Sequence, residues 1–308
     1  MYILKFGKKF TLSKKVSPSN TTDKFTWVSS NPQIATVNSS GQVTALKPGR
    51  TVITYKASSG KSDTCRIYVA EEDVLSLNYK AGFAAYSYER TTRIIYGKSV
   101  LGNQLEAYEI LGDGTNEKTI FLDFAVHGYE DEYAKDGKVL TELANNLVNY
   151  YTLNPDKLGD YKMLIVPCAN PDGAISGKNN YRAEKDDAFG RCTYDGVDMN
   201  RDFMEGRFYA IESQALRDLM QQYPMNIHLD VHGWEDSVIG DRDLVNIMRD
   251  KVDLTTDKSG RYGEQYGYII SYVKNHFGAK TALVELKNSK SVNVAKFEEG
   301  LNMIMAIF

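Results

Sequence analysis

The chain has 308 residues, of which 25% are charged and 42% hydrophobic, with a formal net charge of −3. That balance belongs to globular protein rather than to a disordered chain, and the length suggests two domains. No basic stripe marks a nucleic-acid partner, and no run of about 18 apolar residues forms a transmembrane segment.

The three cysteines, Cys65, Cys168 and Cys192, are far apart and form no C-x-x-C pair. Neither a disulfide framework nor a cysteine-based zinc site is expected. The 21 tyrosines fit a β-rich surface, with some of them lining a groove as the sharper reading. The chain opens inside what reads as a strand, and no charged region followed by an apolar one precedes it. A signal peptide is therefore expected to have been removed, with an extracellular or cell-surface home.

Residues 1–71 are short alternating runs broken by turn residues. Phe25-Thr-Trp-Val, Ile34-Ala-Thr-Val, Gln42-Val-Thr-Ala-Leu, Thr51-Val-Ile-Thr-Tyr and Cys65-Arg-Ile-Tyr-Val read as strands, separated by Ser29-Ser-Asn-Pro, Ser39-Ser-Gly and Pro48-Gly. Strands at this spacing predict an all-β sandwich. Trp27-Val-Ser-Ser-Asn-Pro-Gln-Ile-Ala-Thr-Val-Asn followed by Gly41-Gln-Val-Thr-Ala-Leu-Lys-Pro-Gly resembles a bacterial immunoglobulin-like domain of group 2. The resemblance implies a secreted or surface protein and a spacer, or a module for cell-wall association. The segment has no histidine, so no chemistry is expected of it.

Residues 72–85 read as a linker, and residues 86–308 change grammar. Strands are expected at Leu105-Glu-Ala-Tyr-Glu-Ile, Lys118 to Val126, Lys162-Met-Leu-Ile-Val-Pro, Met225 to Val231 and Thr281-Ala-Leu-Val-Glu. Helices are expected at Lys138 to Tyr151, Glu212 to Gln222, Gly267 to Phe277 and Val292 to Phe308. The alternation predicts an α/β domain with a mixed, mostly parallel sheet flanked by helices, and a site at the carboxyl ends of its strands.

Four histidines stand at 127, 228, 232 and 276. His127 ends an apolar strand, and Glu130 follows across a tight turn. His232 ends another strand. Three N/O ligands with an open fourth position make a catalytic zinc site. His228 shares the parity of His232 along the strand but lies deeper, which favours His232 as the ligand. His276 reads as structural. Glu285 finishes an apolar strand, where burying a carboxylate is costly unless it works or is paired. The reading is a general base, the alternative an ion pair with a neighbour such as Lys287.

From about Ile94 onwards the chain resembles the zinc carboxypeptidase family, in its bacterial branch. The resemblance rests on His127-Gly-Tyr-Glu, Asn170-Pro-Asp-Gly, Gly196-Val-Asp-Met-Asn-Arg-Asp-Phe, Leu229-Asp-Val-His-Gly and Ala282-Leu-Val-Glu-Leu, in that order. It implies one Zn2+ ion on His127, Glu130 and His232, with Glu285 catalytic and Asp198 orienting the first zinc histidine. It also implies that Asn200 and Arg201 grip a terminal carboxylate. The carbonyl-polarising arginine is expected at Arg182, with Arg191 as the second choice, and the family's mobile tyrosine at Tyr266 rather than Tyr262. Tyr129 stands where pancreatic members have an arginine. Tyr268, Ile269 and Ile270 suggest an apolar pocket base. The implied function is a zinc-dependent carboxypeptidase acting on a peptide. The alternatives are a peptidoglycan stem-peptide hydrolase cutting next to a diamino acid, and an inactive binding module of the same fold.

Overall fold

Side chains alternate across a strand, so a period of two in apolar residues makes a sheet with one buried face. The computed structural model describes residues 2–5, 7–18, 20–47, 49–70, 90–130, 136–177, 190–204, 206, 208–290 and 292–308. The chain divides into two compact units, Met1–Ser76 and Leu77–Phe308. The expected linker lies outside the described residues.

The first unit is an immunoglobulin-like pair of sheets. β1 (Tyr2–Lys5), β7 (Ser62–Ala70), β6 (Gly49–Ala57) and β3 (Phe25–Ser29) form one sheet in that order. β2 (Lys9–Thr11), β5 (Gln42–Ala45) and β4 (Ala35–Val37) form the other. Ala35, Val43, Ala45, Ile53, Ile67 and Val69 fill the core, with Trp27 packed against it. Gly41 has φ +81°, and a Cβ there would meet the Trp27 ring at 2.8 Å. The Gly-Gln-Val motif is thus a turn residue that also makes room for the tryptophan.

The second unit holds an eight-stranded sheet. In spatial order its strands are β14 (Thr256–Ser259), β13 (Ser237–Gly240), β15 (Lys280–Leu286), β12 (Ile227–Gly233), β10 (Lys118–Phe124), β11 (Tyr161–Val166), β9 (Gln104–Leu111) and β8 (Thr91–Lys98). β15, β12, β10 and β11 run parallel, and antiparallel pairs join β9 to β11 and β13 to β15. All seven residues of β12 are buried, as expected for a strand covered on both faces. The principal helices are α1 (Gly137–Leu153), α3 (Ile211–Gln222), α4 (Arg242–Val252), α5 (Ile269–Phe277) and α6 (Val294–Ile307). Every expected strand and helix of this domain forms, with ends shifted by a few residues. No disulfide joins the three cysteines among the described residues.

Short α2 (Pro171–Ser176) is built from the Asn-Pro-Asp-Gly element. Asn170 caps it, its side-chain oxygen accepting from Gly173 N at 2.9 Å, and Pro171 takes the first turn, where its missing N–H costs nothing. Asp172 is fully buried and accepts from Ser99 Oγ, Leu101 N and Asn103 Nδ2.

Glu212, at the start of α3, is also fully buried; its Oε1 accepts from Val100 N, and Oε2 has no partner among the described residues. Burial, and then the charge of Asp172, push its carboxyl up to about 8. The folded state therefore holds this proton more tightly than the unfolded chain, whose glutamate titrates near 4.3. Its contribution to stability is fully present below pH of about 4.3 and is lost as pH rises through about 8. Glu212→Gln is expected to raise the melting temperature at pH 8 by several degrees and to change it little at pH 5. Thermal unfolding at the two pH values, beside the unchanged chain, checks this.

Candidate metal centre

Three adjacent parallel strands deliver the centre. His127 follows the end of β10, His232 is the penultimate residue of β12, and Glu285 is the penultimate residue of β15. His232 and Glu285 are register partners, so their side chains leave the sheet on one face.

His127, Glu130 and His232 are all buried, and one ligand atom from each lies within 4.8 Å of the others. His127 Nδ1 is 3.2 Å from Glu130 Oε2, and His232 Nδ1 is 3.0 Å from Glu130 Oε1. The second contact lacks hydrogen-bond geometry: both atoms are fully enclosed and have no hydrogen-bond partner among the described residues. Two converging lone pairs suit two ligands of one ion better than a donor and an acceptor.

The far nitrogen of each imidazole meets a carboxylate. His127 Nε2 is 3.0 Å from Asp198 Oδ1, and His232 Nε2 is 2.6 Å from Asp230 Oδ1. The hydrogen bond to Asp198 fixes the His127 ring and raises its basicity as a ligand, whereas the His232–Asp230 contact is a close charge pairing without hydrogen-bond geometry. Burial opposes ionisation of Glu130, but His127 and His232 outweigh it and hold the carboxyl at about 2. Burial also opposes ionisation of Asp198, and again His127, with Arg191 and Arg201, keeps it well below the carboxylate range. At His232 burial disfavours the charged ring, yet Asp230 and Glu130 draw positive charge onto it, far above the ordinary histidine range. A divalent cation answers the same field with the ring neutral, and an N2O donor set with an open position fits zinc.

Glu285 Oε2 is enclosed and has no hydrogen-bond partner among the described residues. Burial raises its carboxyl well above the ordinary range, with Glu130, Glu235 and Asp230 adding and His232 opposing. The alternative ion pair with Lys287 does not form, because Lys287 faces Asp236 at 3.8 Å.

A cavity of about 470 Å³ opens on His127, Glu130 and Glu285. Asn200 lines it, and its Oδ1 accepts from Ile269 N at 3.0 Å, which leaves the amide NH2 as its spare donor. Arg201 also lines it, with its guanidinium 4.6 Å above the Tyr268 ring and Nη1 donating to Asn200 O. No acidic side chain among the described residues forms an ion pair with Arg201. Asp198 joins these parts, accepting from Arg191 Nε at 3.2 Å and Asn200 N at 3.0 Å while facing His127.

Arg182 lies outside the described residues, whereas Arg191 lines the cavity. Tyr266 is 52% exposed and leans on Tyr268, and Tyr268 is the tyrosine that lines the cavity. Tyr262 donates to Asp241. Ile269 and Ile270 are fully buried, Ile269 within the core, and neither is among the residues lining the cavity. His276 stacks on Tyr272.

The sequence reading left out two carboxylates. Asp230 sits two residues before His232 and so shares its face of β12, a signal that was available. Asp136 accepts from Glu130 N at 2.6 Å and from Trp234 Nε1 at 2.8 Å, tying the two ligand loops together. Nothing in the sequence marks a contact across 98 positions.

His228 is fully buried between Thr281 Oγ1, at 2.8 Å from Nδ1, and Asp123 Oδ2, at 3.2 Å from Nε2. Replacing His232 by Ala is expected to weaken zinc binding at least about 100-fold, above the 10- to 100-fold typical of an outer partner. His228→Ala is expected to keep zinc and to lose stability instead. Zinc titration and thermal unfolding of both variants separate these outcomes.

The family profile described as zinc carboxypeptidase matches residues 76–243. The chain belongs to the zinc carboxypeptidase family. The profile of the bacterial Ig-like domain, group 2, matches residues 2–67. Among similar proteins, bacteriocin BCN5 of Clostridium perfringens is 32% identical over 245 residues, covering 69% of this chain and 26% of that protein. An Ig-like virion protein of Serratia phage KSP90 is 42% identical over 67 residues, covering 21% of this chain and 26% of its own length. The chain thus spans about a quarter of the length of these two relatives. The metallo-carboxypeptidase of Burkholderia cenocepacia superposes with a TM-score of 0.53 at 16% identity, over 92% of this chain and 79% of that one. Carboxypeptidase A of Helicoverpa armigera gives 0.52 at 16% identity, over 76% and 70%. These likenesses establish the carboxypeptidase fold of the second unit.

Proposed function

We propose that the chain is a zinc-dependent carboxypeptidase, hydrolysing the peptide bond next to a free C-terminal carboxylate. One observation carries this reading. Two of the ligands, His127 and Glu130, line a single cavity with Glu285 and Arg201, and the third, His232, has a ligand atom within 4.8 Å of theirs. His127 Nδ1, Glu130 and His232 Nδ1 would hold one zinc ion. When bound, the ion supplies Lewis acidity, which lowers the pKa of water and polarises a carbonyl.

The chain's own residues do the rest. Arg201 receives the terminal carboxylate with its rigid fork, and the Asn200 amide donates beside it. Anchoring that end presents the last peptide bond to Glu285. Glu285 takes the proton of the attacking water and returns it to the leaving amine. Arg191 takes the carbonyl-polarising role in place of Arg182, since its guanidinium lines the cavity and is steadied by Asp198. Tyr268, rather than Tyr266, closes the pocket.

A second reading makes the peptide a cell-wall stem peptide. The bacteriocin among the relatives favours it, as does the Ig-like domain, which suits an extracellular or cell-surface protein associated with the wall. An inactive binding module is disfavoured by the intact ligands and Glu285. Incubating the zinc-loaded protein with C-terminal peptides and muropeptides, and weighing the products by mass spectrometry, tests the proposal. Release of single terminal residues is expected, and absence of any cleavage would sink both enzyme readings.

A further inference from the structure

Beyond a grip on the terminal carboxylate, the cavity holds a second element that the proposed reaction does not use. Lys258 on β14 is the register partner of Ile239 on β13, and Ile239 is the register partner of Leu283 on β15. All three line the cavity. Register partners on neighbouring strands point to the same side, about 4.8 Å apart, so these residues form one row across the sheet. Leu283 is two residues from Glu285 and shares its face. The row therefore begins beside the reacting bond and runs outward through two apolar side chains to a primary amine.

That shape selects a substrate side chain. Ile239 and Leu283 suit a methylene stem, and the Lys258 ammonium suits an anionic end. Lys258 is already paired, 3.2 Å from Glu235 Oε2, but Glu235 is 63% exposed. An ion pair so open to water contributes at most about 1 kcal/mol, so a substrate carboxylate displaces it at little cost.

We infer that the cavity takes a terminal residue whose side chain ends in a carboxylate, received by Lys258 at the end of the Leu283–Ile239 row. This inference rests on the proposed carboxypeptidase reading and names its substrate class. Two sources share the chemistry: an acidic residue such as glutamate, and a diamino diacid, whose distal ammonium Glu235 would meet.

The test uses the full zinc-loaded chain and peptides ending in glutamate, glutamine, 2-aminopimelate or meso-diaminopimelate. The glutamate peptide, or one of the pimelates, is expected to exceed glutamine at least tenfold in kcat/KM. Lys258→Met is expected to bring that ratio to within twofold, with zinc content unchanged. A lead for glutamate identifies an acidic residue as the source, and a lead for meso-diaminopimelate over 2-aminopimelate identifies the diamino diacid. Either lead supports the inference when Lys258→Met removes it. Equal rates on all four peptides, or a preference that survives Lys258→Met, overturns it. Calorimetry of the same peptides on zinc-loaded Glu285→Gln reads the pocket without turnover. If no peptide is cleaved but carboxylate-ended ones bind tenfold tighter through Lys258, the hydrolase reading fails and the pocket assignment stands.

Discussion

Glu285→Gln is expected to retain zinc and to lose turnover by about 10²- to 10⁴-fold, the range for a positioned general base. Glutamine matches glutamate in size and shape, so the three ligands keep their places. What changes is basicity, because an amide takes no proton at neutral pH. Glu285 stands opposite His232 in the register of β12 and β15, its Oε2 shut away from every hydrogen-bond donor among the described residues. A carboxylate in that position is costly, since burial opposes its charge and Glu130, Glu235 and Asp230 oppose it further. Removing the charge is therefore expected to leave the melting temperature unchanged or higher while activity falls. Metal analysis, thermal unfolding and peptide turnover of the variant give three independent readings. Turnover within a few-fold of the unchanged chain, with zinc bound, would take Glu285 out of the reaction.

The parts of this centre that the sequence disclosed are those tied to regular structure. His127, His232 and Glu285 each end an apolar strand, and parallel strands place their carboxyl ends together. Glu130 follows by local spacing. Groups whose role depends on distant contacts were harder to see. Asp136 works by bridging Glu130 and Trp234, and Asp198 by joining His127 to Arg191 and Asn200. Only the family resemblance pointed to Asp198. Nor does the sequence show that the short helical turn Glu264–Tyr266 leaves Tyr266 half exposed against Tyr268, with Tyr268 beneath Arg201. β13 and β14 escaped notice because each has four residues, and Thr256-Asp-Lys-Ser has no apolar period at all. α4 did carry a readable pattern, with Leu244, Val245 and Met248 buried at helical spacing.

Gly128→Ala is expected to cost zinc affinity about 100-fold or more, although Gly128 offers the metal no atom. The constraint is space. A Cβ at Gly128 would stand 2.1 Å from Ala174 N and 2.2 Å from Gly173 C, both backbone atoms of α2. Overpacking a core with side chains that can yield costs about 1–3 kcal/mol. Here no side chain is available to yield. Gly173 is itself held, since a Cβ there would meet Gly190 O at 2.5 Å, and Tyr129 N donates to the same Gly190 oxygen. Three backbone segments are thus in close contact, and a Cβ at Gly128 fits only if the turn between His127 and Glu130 separates from α2. Any shift moves both ligands at once, which a three-ligand site tolerates poorly. Gly102→Ala is the control: Gly102 has φ +84° with nothing within 4 Å of its Cβ position. That change costs backbone strain on the order of 1 kcal/mol and leaves zinc affinity intact. Zinc titration of the two variants decides the matter, and equal affinities would show that close packing of the loop does not hold the ligands in register.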